Sequence, residues 1–202
     1  MSARNKALLL IFSILLIDQV LKIFIKTNMV IGEEIPVLGN WFRIHFLENN
    51  GMAFGMEWGG KAGKAALSIF RMVAIIGISW YLDSIIRKKA SLGLVLSVSA
   101  IIAGAAGNLI DSAFYGMIFS ESWHTTAILF PEGGGYSSFL QGRVVDMFYF
   151  PVIDTHWPDW SPIKPGQSFI FFRPVFNIAD TSITTGVLAI LLFQKRFLDD
   201  NK

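Results

Sequence analysis

Four stretches of the chain are almost uninterrupted in apolar residues: Ala7 to Ile25, Ala65 to Ile86, Leu92 to Ile118 and Phe176 to Phe193. Each is near the roughly 20 residues that cross a bilayer core as a helix, so the pattern predicts four membrane spans. Between the first two, Ile35 to Leu47 alternates with β-branched and aromatic residues and breaks at Asn49-Asn50-Gly51, which predicts a small sheet on the membrane surface. After the third span the chain is rich in Pro, Gly and Trp around Pro131 to Gly135 and Pro151 to Pro165, and is expected to be mostly loop, with its tryptophans at headgroup level. Within it, Val144-Val145-Asp146-Met147-Phe148 is apolar but too short to span, and is expected to dip back toward the membrane. The predicted architecture is a membrane all-α fold with a small β element: one domain over residues 1–202, with external segments 26–64 and 119–175.

Composition supports lipid as the solvent, since 53% of residues are hydrophobic and 16% charged, against roughly 25% charged in soluble domains. A net charge of +2 without basic runs gives no footprint for nucleic acid. The absence of cysteine removes disulfides and thiolate chemistry. Arg4 and Lys6 precede the first span, Arg87, Lys88 and Lys89 join the second to the third, and Lys195 and Arg196 follow the fourth. By the positive-inside rule these ends, and both termini, are cytoplasmic. Lys22, Lys26, Lys61 and Lys64 dissent, lying on the outer side. The first span resembles a signal peptide in its flanking charge, but no small-residue cleavage pattern follows and Asp18, Gln19 and Lys22 interrupt it, so it is expected to be retained.

Ionisable residues inside spans are costly and mark function by default. Counted at 1.5 Å per residue from the nearest cytoplasmic charge, Asp18 lies about 18 Å, Arg71 about 24 Å, Asp180 about 22 Å, Asn108 about 28 Å and Asp111 about 33 Å along their helices, all in the outer half or at the outer interface of a core roughly 30 Å thick. Asp18 and Lys22 are four apart, Asn108 and Asp111 three, Asn177 and Asp180 three, so each pair shares a helix face. These groups, with Asp146, are expected to form one cluster. Each also has a structural reading: an Asp18–Lys22 ion pair, Arg71 snorkelling outward, Asn108 and Asn177 as interhelical hydrogen-bond glue, Asp111 as a helix-end group.

Two carboxylates in one site cannot both ionise cheaply, which suits aspartic-protease chemistry: one activates water while the other, protonated, polarises a carbonyl. His45, His124 and His156 are isolated, no His-Glu-x-x-His occurs, and Gly133-Gly134-Gly135 lacks the lysine of a phosphate loop. No metal or organic cofactor is expected. The residues alone leave open a proton- or ion-coupled transporter using Asp18, Asp111 and Asp180 as a relay, which four spans without internal repeats disfavour.

Five motifs in order, Asp18-Gln-Val-Leu-Lys22, Asn49-Asn-Gly-Met-Ala-Phe54, Gly107-Asn-Leu-Ile-Asp111, Val144-Val-Asp146 and Phe176-Asn-Ile-Ala-Asp180, resemble those of the lipoprotein signal peptidases, the signal peptidase II family. The resemblance implies an aspartic endopeptidase of the bacterial inner membrane that cleaves prolipoproteins before their diacylglyceryl-modified cysteine, in contact with membrane lipid, as a monomer, and sensitive to globomycin. It places the catalytic pair at Asp146 and Asp180, and Asn49, Gly51, Asn108, Asp111, Asn177, Asp18 and Lys22 in the supporting site. Ser112 stands where the family usually has arginine, and Arg143, next to the Val-Val-Asp motif, is the candidate replacement. The stretch from Ser120 to Gln141 is longer than usual in the family, with Trp123, Phe130 and Tyr136 suggesting a lid or headgroup contact.

Overall fold

The computed structural model describes residues 1–51, 60–162, 164, 166–171 and 173–199. Met52, Ala53 and Phe54 of the second motif, and Pro165, lie outside the described residues. In chain order the elements are α1 (Ala3–Asn28), β1 (Glu34–Leu38), β2 (Phe42–Asn49), α2 (Gly60–Arg87), α3 (Leu92–Ile110) with a π-type widening at Asp111–Tyr115 and a last turn α4 (Gly116–Ile118), then β3 (Val144–Tyr149), β4 (Ile153–His156), β5 (Ser168–Phe171), β6 (Val175–Phe176) and α5 (Ile178–Asp199).

Local chemistry sets the helix ends. Ser2 caps α1 through Asn5 N, and Ser91 caps α3 through Leu94 N. The α2–α3 turn closes with Lys89 at φ 56° and hydrogen bonds from Ala90 N to Ile85 O and from Lys89 N to Ile86 O, the paired pattern that satisfies orphan carbonyls at a helix C-terminus. At this end Asp83 pairs with both Arg4 and Arg87, clasping α1 to α2.

Among the described residues, three helices, Ala3–Asn28, Gly60–Arg87 and Leu92–Ile118, are long and apolar enough to cross a membrane. The fourth apolar stretch forms the 22-residue α5, whose first turns carry Asp180, Thr181 and Ser182. Helix α3 is the axis of the bundle: 56% of its apolar window is buried, against 17% in α1 and 11% in α2. Apolar side chains such as Phe12, Leu16 and Phe24 on α1, and Phe70, Val73 and Ile76 on α2, point outward as lipid-facing residues do. Helices α3 and α5 approach closely at small residues. A Cβ built at Gly104 would lie 2.2 Å from Ala179 O, and one at Gly186 would lie 2.6 Å from Ser97 O.

The region after α3 is more ordered than the sequence pattern predicts. Val144–Tyr149 is a strand, because its β-branched and aromatic residues find a partner edge in β2. It is an inner strand of a four-stranded sheet ordered β1-β2-β3-β6, and β4 and β5 form a second, two-stranded sheet where loop was expected. Alternation in β3 sends Val145 and Met147 into a core with Ile25, Met29, Phe46, Tyr115 and Phe119, leaving Asp146 on the opposite face. The long 120–141 stretch is stitched to the end of α3: Phe130 N donates to Ile118 O, Tyr136 N to Phe119 O, Ser137 N to Gly116 O and Gly142 N to Ser112 O. The last bond satisfies a carbonyl in the π-type widening. Trp41, Trp123 and Trp160 are more than half exposed around this strand-bearing side of the molecule.

Gly104→Ala forces a methyl against a backbone carbonyl that no rotamer change can relieve, so it is expected to destabilise the α3–α5 contact by about 1–3 kcal/mol. Thermal unfolding of the purified protein in detergent checks this.

Candidate active site

The site is built around a lysine. Lys22 is 0% exposed, and its ammonium donates to Asp18 Oδ2 at 2.9 Å, Asp111 Oδ2 at 2.8 Å and Asn108 Oδ1 at 2.9 Å, three acceptors for three N–H groups. Asp18 Oδ1 accepts from Ala179 N at 3.0 Å, capping α5 from another helix. Asp111 Oδ2 also accepts from Val145 N in β3 at 3.3 Å. Gln19 Nε2 bridges Asp18 and Asp111 and reaches Gly107 O, while its Oε1 accepts from Tyr115 Oη. Gly107 leaves room for the carboxylate, since a Cβ there would lie 2.7 Å from Asp18 Oδ2.

Above this node the two candidate aspartates meet through asparagines. Asn177 is the N-cap of α5: its Oδ1 accepts from Asp180 N at 2.9 Å, and Asp180 Oδ2 accepts from Asn177 N at 3.3 Å. The reciprocal pair is a capping box written with Asn and Asp, and explains their three-residue spacing better than a shared helix face does. Asn177 Nδ2 donates to Asp146 Oδ1 at 2.7 Å and to Asn108 Oδ1 at 3.1 Å, and Asn108 Nδ2 donates to Asp180 Oδ1 at 2.8 Å. Asn49 Nδ2 donates to the other oxygen of Asp146. The β2–β3 register makes this possible: Leu47 faces Asp146 and Asn49 faces Val144, which sets Asn49 diagonally beside Asp146 on one face. Asn49 Oδ1 also holds Gly51 N at 2.6 Å, and Gly51, at φ 83°, offers its carbonyl to Arg71 Nη2.

Burial raises the Asp146 carboxyl from its ordinary value to about 8, with the charge of Asp180 adding to the rise and Lys22 and the Asn177 hydrogen bond opposing it. Asp180 sits instead in the first turn of α5, where its Oδ1 accepts from Asn108 Nδ2 and its Oδ2 from Asn177 N. Among the described residues, no group of three or more His, Cys, Asp or Glu side chains is arranged to hold a metal ion.

A model of signal peptidase (SPase) II matches residues 10–195. The chain belongs to the signal peptidase II family. It is 49% identical over 188 residues to the lipoprotein signal peptidase of Porphyromonas gingivalis, covering 93% of this chain and 81% of that one. It is 39% identical over 183 residues to that of Amoebophilus asiaticus, covering 89% and 73%. Two solved structures described as bacterial membrane enzymes share the fold, one with TM-score 0.61 at 24% identity over 98% of this chain and 92% of the other, one with TM-score 0.59 at 26% over 93% and 91%. As a member of the signal peptidase II family, this chain is a membrane aspartic protease that removes signal peptides from prolipoproteins.

The structure brings Asp18, Lys22, Asn49, Asn108, Asp111, Asp146, Asn177 and Asp180 into one hydrogen-bonded network, with Gly51 joined through Asn49. Arg143 is taken elsewhere. Its guanidinium forks onto Glu121, reaches Glu48 at 3.0 Å and lies 4.7 Å over the Tyr136 ring, and the adjacent Val144 starts a strand that turns Asp146 away from it. Ser112, at the position where arginine was expected, spends its hydroxyl on Asn108 O within its own helix. The Arg71 guanidinium is held by Gly51 O. Gln19 was visible in sequence only as an interruption of an apolar run, whereas the depth of Arg71 already placed it with the expected cluster.

Lys22→Met would leave Asp18 and Asp111 buried without their cation, and is expected to cost about 3–5 kcal/mol of stability. A melting temperature within two or so degrees of wild type would contradict that role.

Proposed function

We propose that Asp146 and Asp180 are the catalytic dyad of this protease, and that it hydrolyses the peptide bond before the diacylglyceryl-modified cysteine of a prolipoprotein. The observation that carries the reading is the asymmetry of the pair. One carboxyl is buried on a strand and pushed up to about 8, the other caps a helix N-terminus, and Asn177 binds both. Environments that pull two carboxyls apart assign the acid and the base.

In this mechanism Asp180 takes a proton from water as its oxygen attacks the scissile carbonyl carbon, while Asp146 gives its proton to the carbonyl oxygen. The tetrahedral intermediate collapses when Asp146 regains that proton and Asp180 passes its own to the amide nitrogen, breaking the C–N bond. The products are a signal peptide with a new carboxyl terminus and a lipoprotein with a free cysteine amine. Asn49, Asn108 and Asn177 orient the dyad without carrying charge, and Lys22, held by Asp18 and Asp111, supplies a fixed positive field beneath it. Exclusion of water strengthens each of these interactions.

The site belongs near the outer face of the inner membrane, with both termini cytoplasmic, as the charge clusters at Arg87–Lys89 and Lys195–Arg196 favour. A lipid-modified substrate in the outer leaflet would bring its scissile bond to that level while its acyl chains stay in lipid. The enzyme is taken to act as a monomer without a cofactor, and globomycin is expected to compete with the precursor.

Purified enzyme incubated with a diacylglyceryl-cysteine precursor should cleave it, and Asp146→Asn or Asp180→Asn should each lower kcat by about 10³-fold or more while remaining folded. Undiminished cleavage by either variant would refute the dyad. Because the acid form of Asp146 is required, kcat should be maintained at neutral pH and fall as pH rises through about 8. A rate that climbs through that range would reverse the assignment.

A further inference from the structure

Arg71 has a half-used guanidinium. Its Nη2 donates to Gly51 O, while its Nη1 is buried and has no hydrogen-bond partner among the described residues. A buried donor left unpaired is costly and rare enough to need a reason. The position is tightly fixed, since a Cβ built at Gly51 would lie 2.7 Å from that same Nη1. It is also tied to the dyad by a short chain of contacts: Gly51 N is held by Asn49, and Asn49 donates to Asp146. Asp180 and Asp111 are the acidic groups that act on the guanidinium from the neighbouring helices. Ser112 brings no cation from α3.

We propose that Arg71 is a substrate-binding residue whose free Nη1 N–H donates to a carbonyl oxygen of the bound lipopeptide beside the scissile bond, while Nη2 keeps the Gly51 carbonyl. The inference rests on the proteolytic reading above. The acceptor is a neutral carbonyl, because the negative field of Asp180 and Asp111 opposes an anionic ligand at this point. Two N–H groups in a rigid planar fork can join the loop after β2 to the substrate at a fixed angle, which a single ammonium cannot do. The carbonyl has two possible sources in such a substrate, the peptide backbone and the glyceryl esters.

The test uses full-length enzyme in lipid nanodiscs and a diacylglyceryl-cysteine precursor peptide. Arg71→Met and Arg71→Lys should both raise KM by roughly ten- to a hundredfold with kcat little changed, the signature of a lost ground-state contact to a charged donor. Their melting temperatures should stay close to wild type. If the methionine variant fails to fold, the lysine variant, which keeps the charge, decides. An unchanged KM in a folded variant, full recovery by lysine, or a loss confined to kcat with a shifted pH profile would overturn the proposal. The last would make Arg71 a charge partner of the dyad instead. A precursor with ether-linked chains separates the sources. If wild type loses as much on it as Arg71→Met does on the ester, and the variant loses nothing further, the acceptor is a glyceryl ester. If wild type cleaves both alike and the variant suffers on both, it is a peptide carbonyl. Failure of wild type to cleave sinks the protease reading itself, whereas wild-type cleavage matched by both variants sinks only this inference.

Discussion

Burying an ammonium in a membrane protein demands that every one of its protons be answered, and Lys22 meets that demand by drawing three acceptors to one point. Asp18 comes from its own helix, Asn108 and Asp111 from α3. The same carboxylates then reach further, Asp18 to the first turn of α5 and Asp111 to the backbone of β3. The two elements that carry Asp146 and Asp180 are therefore anchored to one charge. A buried ion pair is weak evidence for net stability, since desolvation offsets its attraction. Its contribution here is positional: remove the lysine and both the helix cap and the strand contact lose their reason to stay where they are.

The dyad inherits its asymmetry from those anchors. Asp146 lies on an inner strand, packed on both faces, where burial favours the neutral acid. Asp180 lies at the start of a helix, where donors converge on a carboxylate. Neither environment depends on fine adjustment of the aspartates themselves, because each follows from the element that bears the residue. Neutral asparagines surround the pair, holding oxygens in place without changing the charge balance.

Much of this was legible in the chain because membrane physics makes polar residues conspicuous. The spans followed from apolar length, and the i, i+3 and i, i+4 pairs with the depth count led to one cluster. What failed to show depends on long-range pairing. Val144–Tyr149 reads as a short apolar run until β2 is beside it, and a residue's neighbour across a sheet is set by register, which no local pattern reveals. The Asn177–Asp180 spacing was seen, but its meaning as a cap required knowing where α5 begins. Arg143 departs from its expected place beside Asp146 for the same reason: proximity in sequence favoured it, whereas Glu48 and Glu121, distant in sequence, engage it. Three of the four lysines that dissented from the charge rule also find an explanation. Lys22 is spent inside the bundle, Lys26 on Glu48 and Ser122 between two aromatic rings, and Lys64 on Asn50 and Gln141 O, so their charges build the structure rather than mark a side of the membrane.

The central claim is that Asp146 holds the dyad's proton at rest. Infrared difference spectroscopy of the protonated carboxyl stretch, comparing wild type with Asp146→Asn and Asp180→Asn, measures it directly. The account predicts a carboxylic-acid band at neutral pH that is absent in Asp146→Asn and disappears in wild type with a midpoint of about 8. A band that survives in Asp146→Asn and vanishes in Asp180→Asn, or no such band at neutral pH, would contradict it.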